Sequence, residues 1–268
     1  MASKYEIIIE KIFFDRYSEG DEVVPFERDE MHKAAEDLGI KKVKNLGDVV
    51  YSFKYRSSLP ESILDIAPEG KTWVIVGRGR AKYAFNLQSE KIARVTPDTS
   101  FIKTKIPDAT PGIVARYAPD DEQALLAKLR YNRMIDIFTG VTCYSLQNHL
   151  RTTVPGIGQV ETDEIYVGVD DRGAHYIIPV QAKGGNDEIG FVQLDQDLRL
   201  CADKYPNLIA RSIAAQFIDE NTIALFEFTR DEDQGVVKVA EKHYRLVPKE
   251  ELTESEIKQY RQRALSGN

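Results

Sequence analysis

Apolar positions first recur at helical spacing after Pro25, where Phe26, Met31, Ala34, Ala35 and Leu38 share one side and Gly39 supplies a stop. A second helix is signalled after a short basic connection. Asn45 can cap it, Asp48 approximates a capping box, and Leu46, Val49, Val50 and Phe53 form its apolar face. Its opposite side and C-terminal end carry Tyr51, Ser52, Lys54, Tyr55 and Arg56. Further on, TWVIV and AKYAF flank the turn GRGR, a hairpin whose tip holds Arg78 and Arg80 with Lys82 beside it. The stretch DDEQALLAKLRYNRMIDIF predicts a capped helix with Leu125, Leu129, Ile135 and Phe138 among its apolar positions. Three strands follow in CYSLQNHLRTTV, QVETDEIYVGVD and AHYIIPVQAK, then a helix in IGFVQLDQDLRLCADKY and two strands in LIARSIAAQF and TIALFEFT. ELTESEIKQYRQRAL predicts a solvated terminal helix. This alternation of helices and strands belongs to the mixed α/β class.

Pro97, Pro107, Pro111 and Pro119 crowd one stretch, which reads as extended connection because each ring removes a donor and discourages a preceding helix. The expected division is residues 1–106 and residues 107–268. At 42% apolar composition, 268 residues can bury a sizeable core. No apolar run is long enough for a membrane span, and MASKYEIIIEK lacks the succession of a signal peptide, so the expectation is a cytoplasmic protein without a membrane partner. Cys143 and Cys201 support neither a disulfide framework nor a four-cysteine zinc site, and are expected as reduced, packed thiols. The net charge of −7 argues against nucleic acid until it is divided. Residues 41–105 hold 13 Lys and Arg against 6 Asp and Glu, a local +7 that leaves −14 elsewhere. A basic contact surface on an acidic body gives this division, and so does an uneven scatter of solvated charge.

Helix, short connection, polar and basic helix, then basic hairpin: this order resembles a winged helix-turn-helix. Short polar and cationic side chains on a helix suit a major groove, and a cationic hairpin tip reaches phosphates. The candidate DNA contacts are therefore Ser52, Lys54, Tyr55, Arg56, Arg78, Arg80 and Lys82; the plainer reading of the same segment is a small α+β domain with a solvated helix. Gly77 and Gly79 do not form a nucleotide loop, because the segment after them reads as strand whereas a phosphate cradle needs a helix N-terminus there.

The turn between the second and third downstream strands sets their register. A three-residue loop Asp171-Arg172-Gly173, with Gly173 in a left-handed conformation, pairs Asp170 with Ala174. Asp163 then faces Gln181 and Glu161 faces Lys183, so four polar groups are expected on one surface. Val180 and Ala182 pack behind them, and Gly184 and Gly185 leave the strand end open to a ligand. Such a cluster suits metal-dependent phosphodiester hydrolysis: a hard cation such as Mg²⁺ takes carboxylate, carbonyl and water oxygens, and a lysine orients the attacking water and offsets charge on phosphate. The competing reading is a solvated Glu161–Lys183 ion pair of well under ~1 kcal/mol.

TDEIYVGVD, a hairpin, IPVQAKGG and a following helix resemble the PD-(D/E)XK, or restriction-endonuclease-like, nuclease superfamily in its Q-x-K variant, as among Mrr-like nucleases. The resemblance spans roughly residues 120–228. It implies a Mg²⁺-dependent, DNA-cleaving enzyme with an α/β/α core and a central mixed sheet. Asp163 would be the metal-binding acid, Gln181 would replace the usual acidic residue, Ala182 would lend its carbonyl and Lys183 would be the lysine. Glu122 matches the first-helix glutamate, with Glu161 the competing second carboxylate. The chain departs from the pattern in lacking a proline before Asp163 and in the neutrality of Gln181. The scattered histidines His32, His149, His175 and His243 have no zinc spacing, and no Gly-x-Ser-x-Gly elbow is present.

The leading expectation is a type II restriction endonuclease acting on double-stranded DNA, with a cognate DNA methyltransferase as its functional partner. Cutting both strands of a symmetric site is simplest with two-fold symmetry, so a homodimer is expected. The alternatives are a repair or modification-dependent nuclease, and a DNA-binding regulator whose α/β part senses a ligand.

Overall fold

A computed structural model describes residues 3–40, 45–117, 122–184, 189–231 and 235–266. The chain enters helix α1 (Lys4–Phe14) through a capping box between Ser3 and Glu6. Strand β1 (Val23–Glu27) precedes helix α2 (Arg28–Asp37). Pro25 was expected to open the helix; it lies in β1, an edge strand where a missing N–H is tolerated, and the helix starts after Glu27. Gly39, at φ +63°, follows the end of α2 as expected. Helix α3 (Leu46–Tyr55) starts after Asn45, but the Asn45 side chain makes no capping bond; Asp48 instead accepts from the Tyr5 hydroxyl at 3.0 Å, tying α3 to α1. The Leu46 side chain lies outside the described residues, whereas Val49, Val50 and Phe53 are buried as expected. A short helix α4 (Glu61–Leu64) leads to the hairpin β2 (Lys71–Gly77) and β3 (Lys82–Ser89), then α5 (Glu90–Ala93) and β4 (Arg94–Val95). The three-stranded sheet has order β1-β3-β2, and Phe13, Met31, Val50, Ile63, Trp73 and Phe85 share its core.

The proline-rich stretch is more structured than expected. Within it lie strand β5 (Lys103–Pro107) and helix α6 (Gly112–Tyr117); Pro119 lies outside the described residues. The long helix expected next is two, α7 (Glu122–Tyr131) and α8 (Met134–Thr139). Arg133 breaks it at φ +50°, and the Asn132 side chain ties the break to the preceding segment by accepting from the Ala109 N–H at 2.7 Å. Then come β6 (Thr142–Val154), β7 (Gly158–Val169), β8 (His175–Lys183), β9 (Ile189–Gly190) and α9 (Phe191–Lys204). The strand expected over 208–217 is divided into β10 (Ile209–Ala210) and β11 (Ser212–Asp219), with Arg211 between them. Last are β12 (Thr222–Asp231), β13 (Gly235–Val247) and α10 (Glu254–Ser266). Nothing in the periodicity anticipated β13, whose Lys238, Glu241, Lys242 and Arg245 interrupt the apolar alternation.

The protein is mixed α/β. Its large sheet runs β5-β13-β12-β11-β8-β7-β6, with β10 beside β8. The β8–β11, β8–β10 and β13–β5 pairs are parallel and the others antiparallel. Helices α7 and α8 cover one face, packing Leu125, Leu129 and Phe138 with Ile178, Val180 and Ala182. Helix α9 packs Leu194 and Leu198 with Ala214 and Phe226, and Leu200 and Cys201 with Ile177. Val76, Ala84 and Val95 join the α9 cluster, and β4 pairs with β9, so the two halves of the chain share a buried seam. Both cysteines are buried and free. Among the described residues no helix is long and apolar enough to cross a membrane.

Candidate functional site

The hairpin β7–β8 has the register its turn dictates. Gly173 sits at φ +79°, the Asp170 N–H reaches Ala174 O at 3.2 Å, and the strands pair from Val169 opposite His175 to Glu164 opposite Val180. Beyond that pair side chains replace ladder bonds. The Ala182 N–H donates to Asp163 Oδ2 at 2.8 Å, and Gln181 Nε2 donates to Glu161 O at 3.1 Å. Strand β8 is held here by parallel β11 on its other side, with Gln181 opposite Ala214 and Lys183 opposite Gln216. Its end is thus anchored while its contact with β7 is loosened.

Three charged groups gather at this opening. Lys183 Nζ lies 2.6 Å from Glu122 Oε1 in the first turn of α7, so the helix brings its carboxylate over the strand end. Burial raises the pKa of Asp163; the Ala182 N–H, Lys183 and His149 oppose the rise, and the charge of Glu122 adds to it. A divalent cation would relieve that accumulation of negative charge. Among the described residues no group of three or more His, Cys, Asp or Glu side chains is placed to hold a metal. The oxygens that could serve a cation are those of two carboxylates, Asp163 and Glu122, the Ala182 carbonyl and the Gln181 amide. They fit Mg²⁺, which keeps several waters and leaves positions for phosphate oxygens.

The single polar surface expected from register alone is not what forms. Glu161 does not pair with Lys183; it meets Arg151 at 2.9 Å and His149 at 3.1 Å on the exposed side. Gln181, 1% exposed, turns to α9, where Nε2 donates to Asp197 Oδ2 at 2.9 Å. Alternation along a strand fixes a side chain's starting direction, but the helices on the two faces decide which long side chains they capture. Gly184 is described and Gly185 is not.

Asp197 escaped the sequence reading. It is fully buried, accepts from the Thr162 hydroxyl at 2.6 Å, and burial pushes its carboxyl up to about 7 against the pull of its two donors. A signal existed: in FVQLDQDLRLC, Asp197 stands three residues after Leu194 and four before Cys201, an acid interrupting an apolar stripe. Glu164 also escaped notice. It too is fully buried, receiving Arg130 at 3.1 Å and the Ser145 hydroxyl at 2.5 Å.

The DNA-contact candidates divide. Arg78, Arg80 and Lys82 are exposed at the β2–β3 tip, and Arg56 is exposed with its guanidinium over the Tyr51 ring. Ser52 is half-buried and shares a contact with Ser57. Tyr55 faces inward, its hydroxyl donating to Gln196 Oε1 of α9 at 3.0 Å. Lys54 sits over the Tyr55 ring, and burial pushes its ammonium down to about 8. Lys54 and Tyr55, expected on the polar side of α3, thus lie at the seam, Tyr55 against α9 and Lys54 near Gly77. Gly77 has a packing role, since a Cβ there would stand 2.3 Å from Ile157 O at the β6–β7 turn.

Family models, curated proteins and solved structures yielded no match to this chain.

Proposed function

We propose that the protein is a Mg²⁺-dependent endonuclease of double-stranded DNA, of the PD-(D/E)XK type in its Q-x-K variant, and specifically a type II restriction endonuclease. The observation that carries this reading is the opening of β7–β8, where Asp163 takes the Ala182 N–H and Lys183 stands beside Glu122. In this reading the N-terminal region is a winged-helix-like DNA-binding part whose phosphate contacts are Arg78, Arg80, Lys82 and Arg56.

Asp163 and Glu122, with the Ala182 carbonyl and Gln181 Oε1, would hold the Mg²⁺. When bound, the ion supplies Lewis-acid polarisation of the phosphate and an acidified water. Lys183 orients the attacking water and offsets negative charge on the phosphate, and its contact with Glu122 fixes its ammonium before substrate arrives. The Ala182 N–H pins Asp163 Oδ2, leaving Oδ1 for the site. A homodimer acting on the two strands of a symmetric sequence belongs to the same proposal.

Plasmid DNA incubated with the protein and Mg²⁺ tests it. Discrete fragments are the expected result. Smears or structure-selective nicks would replace the restriction assignment with a repair or modification-dependent one, and binding without cleavage in Mg²⁺ or Mn²⁺ would overturn the enzyme reading.

A further inference from the structure

The Gln181 amide nitrogen faces a backbone carbonyl, which can only accept, and the Asp197 carboxyl, which accepts when ionised. Nε2 donates to Glu161 O at 3.1 Å and to the carboxylate of Asp197 at 2.9 Å. Both amide hydrogens are then used, and a flipped amide would place Oε1 against two oxygens. Among the described residues the Oε1 atom keeps only a long 3.4 Å contact from Gln193 Nε2. Gln193 has its own orientation set, since its Oε1 accepts from the Gly190 N–H. Asp197 is in turn fixed by the Thr162 hydroxyl on its other oxygen. The series of bonds from α9 through Asp197 to Gln181 has one consistent direction.

We infer that Asp197 is a positioning residue of the metal site, which orients Gln181 so that an oxygen and not an NH₂ group is available to a divalent cation. The inference rests on the proposed nuclease reading. A neutral amide can substitute for a carboxylate as a ligand only if its oxygen faces the ion; a carboxylate presents oxygen either way, whereas an amide needs an outside group to choose. Asp197 supplies that choice from α9, through its bond to Gln181. Partners behind metal ligands commonly change affinity by ~10–100-fold when removed. The same network explains why an acid is tolerated at a fully buried position of α9: each carboxylate oxygen has a donor.

The test uses the full chain and Mn²⁺ as the probe, with binding read by calorimetry or electron paramagnetic resonance in the absence of DNA and cleavage read separately against Mg²⁺ concentration. Asp197→Leu is expected to weaken Mn²⁺ binding roughly tenfold and to lower the melting temperature, because the buried Thr162 hydroxyl and Gln181 Nε2 lose the oxygens they donate to. Asp197→Asn keeps an acceptor for Gln181 and is expected to stay within about threefold of wild type. In a Gln181→Met background, Asp197→Leu should have no further effect on Mn²⁺ binding, which a purely structural role would not predict. If Asp197→Leu does not fold, Asp197→Ala carries the same binding expectation. Unchanged Mn²⁺ binding in a folded Asp197→Leu or Asp197→Ala variant would overturn the inference and leave the nuclease reading standing. Wild-type protein that neither binds Mn²⁺ nor cuts DNA would overturn both.

Discussion

The hairpins β2–β3 and β7–β8 are built alike, each with a glycine at positive φ in its turn, yet they place their polar groups at opposite ends. In β2–β3 the cations Arg78, Arg80 and Lys82 are at the closed tip, exposed, with Arg78 meeting Asn86 at 3.2 Å and Lys82 only 3.9 Å from an exposed Glu27. In β7–β8 they are at the open end, where helices on both faces and strand β11 deliver further groups. A tip offers charge to whatever approaches but cannot surround it. An open end can gather Glu122, Asp163 and Lys183 in one place, which chemistry requires and long-range attraction does not. In the proposed function the first hairpin supplies affinity and the second supplies reaction.

The sharpest way to break this comparison is Lys183→Ala. Cleavage should fall by at least ~100-fold while DNA affinity stays near wild type, because in the proposed function the lysine acts on the reacting phosphate and the affinity comes from elsewhere. A cleavage rate and a binding isotherm on one duplex decide it, and wild-type cutting would remove Lys183 from the site. Next in size, Glu122→Gln should raise the Mg²⁺ concentration needed for half-maximal cleavage roughly tenfold or more, whereas Glu161→Gln should leave it unchanged, since Glu161 is engaged by Arg151 and His149. The reverse ranking would return the second metal carboxylate to β7.

Much of this arrangement was legible in the sequence, and the limits have physical causes. The turn Asp171-Arg172-Gly173 sets a register through local backbone geometry, so the pairing of β7 with β8 follows from three residues. The apolar faces of α3 and α7 follow from periodicity in the same way. Side-chain capture is non-local: that Gln181 goes to Asp197 and Glu161 to Arg151 depends on where α9 and β6 lie, and no spacing within 159–183 encodes it. The inward turn of Lys54 and Tyr55 was hidden for the same reason. A polar helix face looks alike in sequence whether it meets a duplex, water or another helix.

Lys54 sharpens the comparison from its inner side, because it is a cation of the N-terminal region that the tip's logic does not cover. Burial holds its ammonium near 8, below its unfolded value of 10.5, so the folded state sheds that proton more readily. The charged form is the unfavourable one in the fold below pH 8, and stability should rise as pH climbs from about 8 toward 10.5. Lys54→Met should therefore stabilise the protein by roughly 1–2 kcal/mol at pH 7, after allowance for partial solvent screening, with the advantage shrinking across that window. Denaturant melts of both proteins at pH 7 and pH 10 test this; a constant difference would refute it. The smallest expected effect lies at the tip itself. Replacing Arg78 and Arg80 by Ala should reduce the salt slope of DNA binding by about 0.9 per lost phosphate contact and leave cleavage at saturating DNA unaltered. An unchanged slope would remove the tip from the DNA surface.

The seam through Val76, Ala84, Val95 and α9 also governs how this chain can be taken apart. A scissor cut near residue 107 would strip β4 from β9 and β5 from β13, and would open the apolar cluster that Val76, Ala84 and Val95 share with α9. Anyone grafting the second half onto another chain would inherit a raw edge and a sticky patch, and would have to carry the β2–β3 hairpin along as upholstery. The practical unit of exchange in this protein is therefore the whole chain, with the exposed residues at the hairpin tip open to change and the segment that holds the tip left in place.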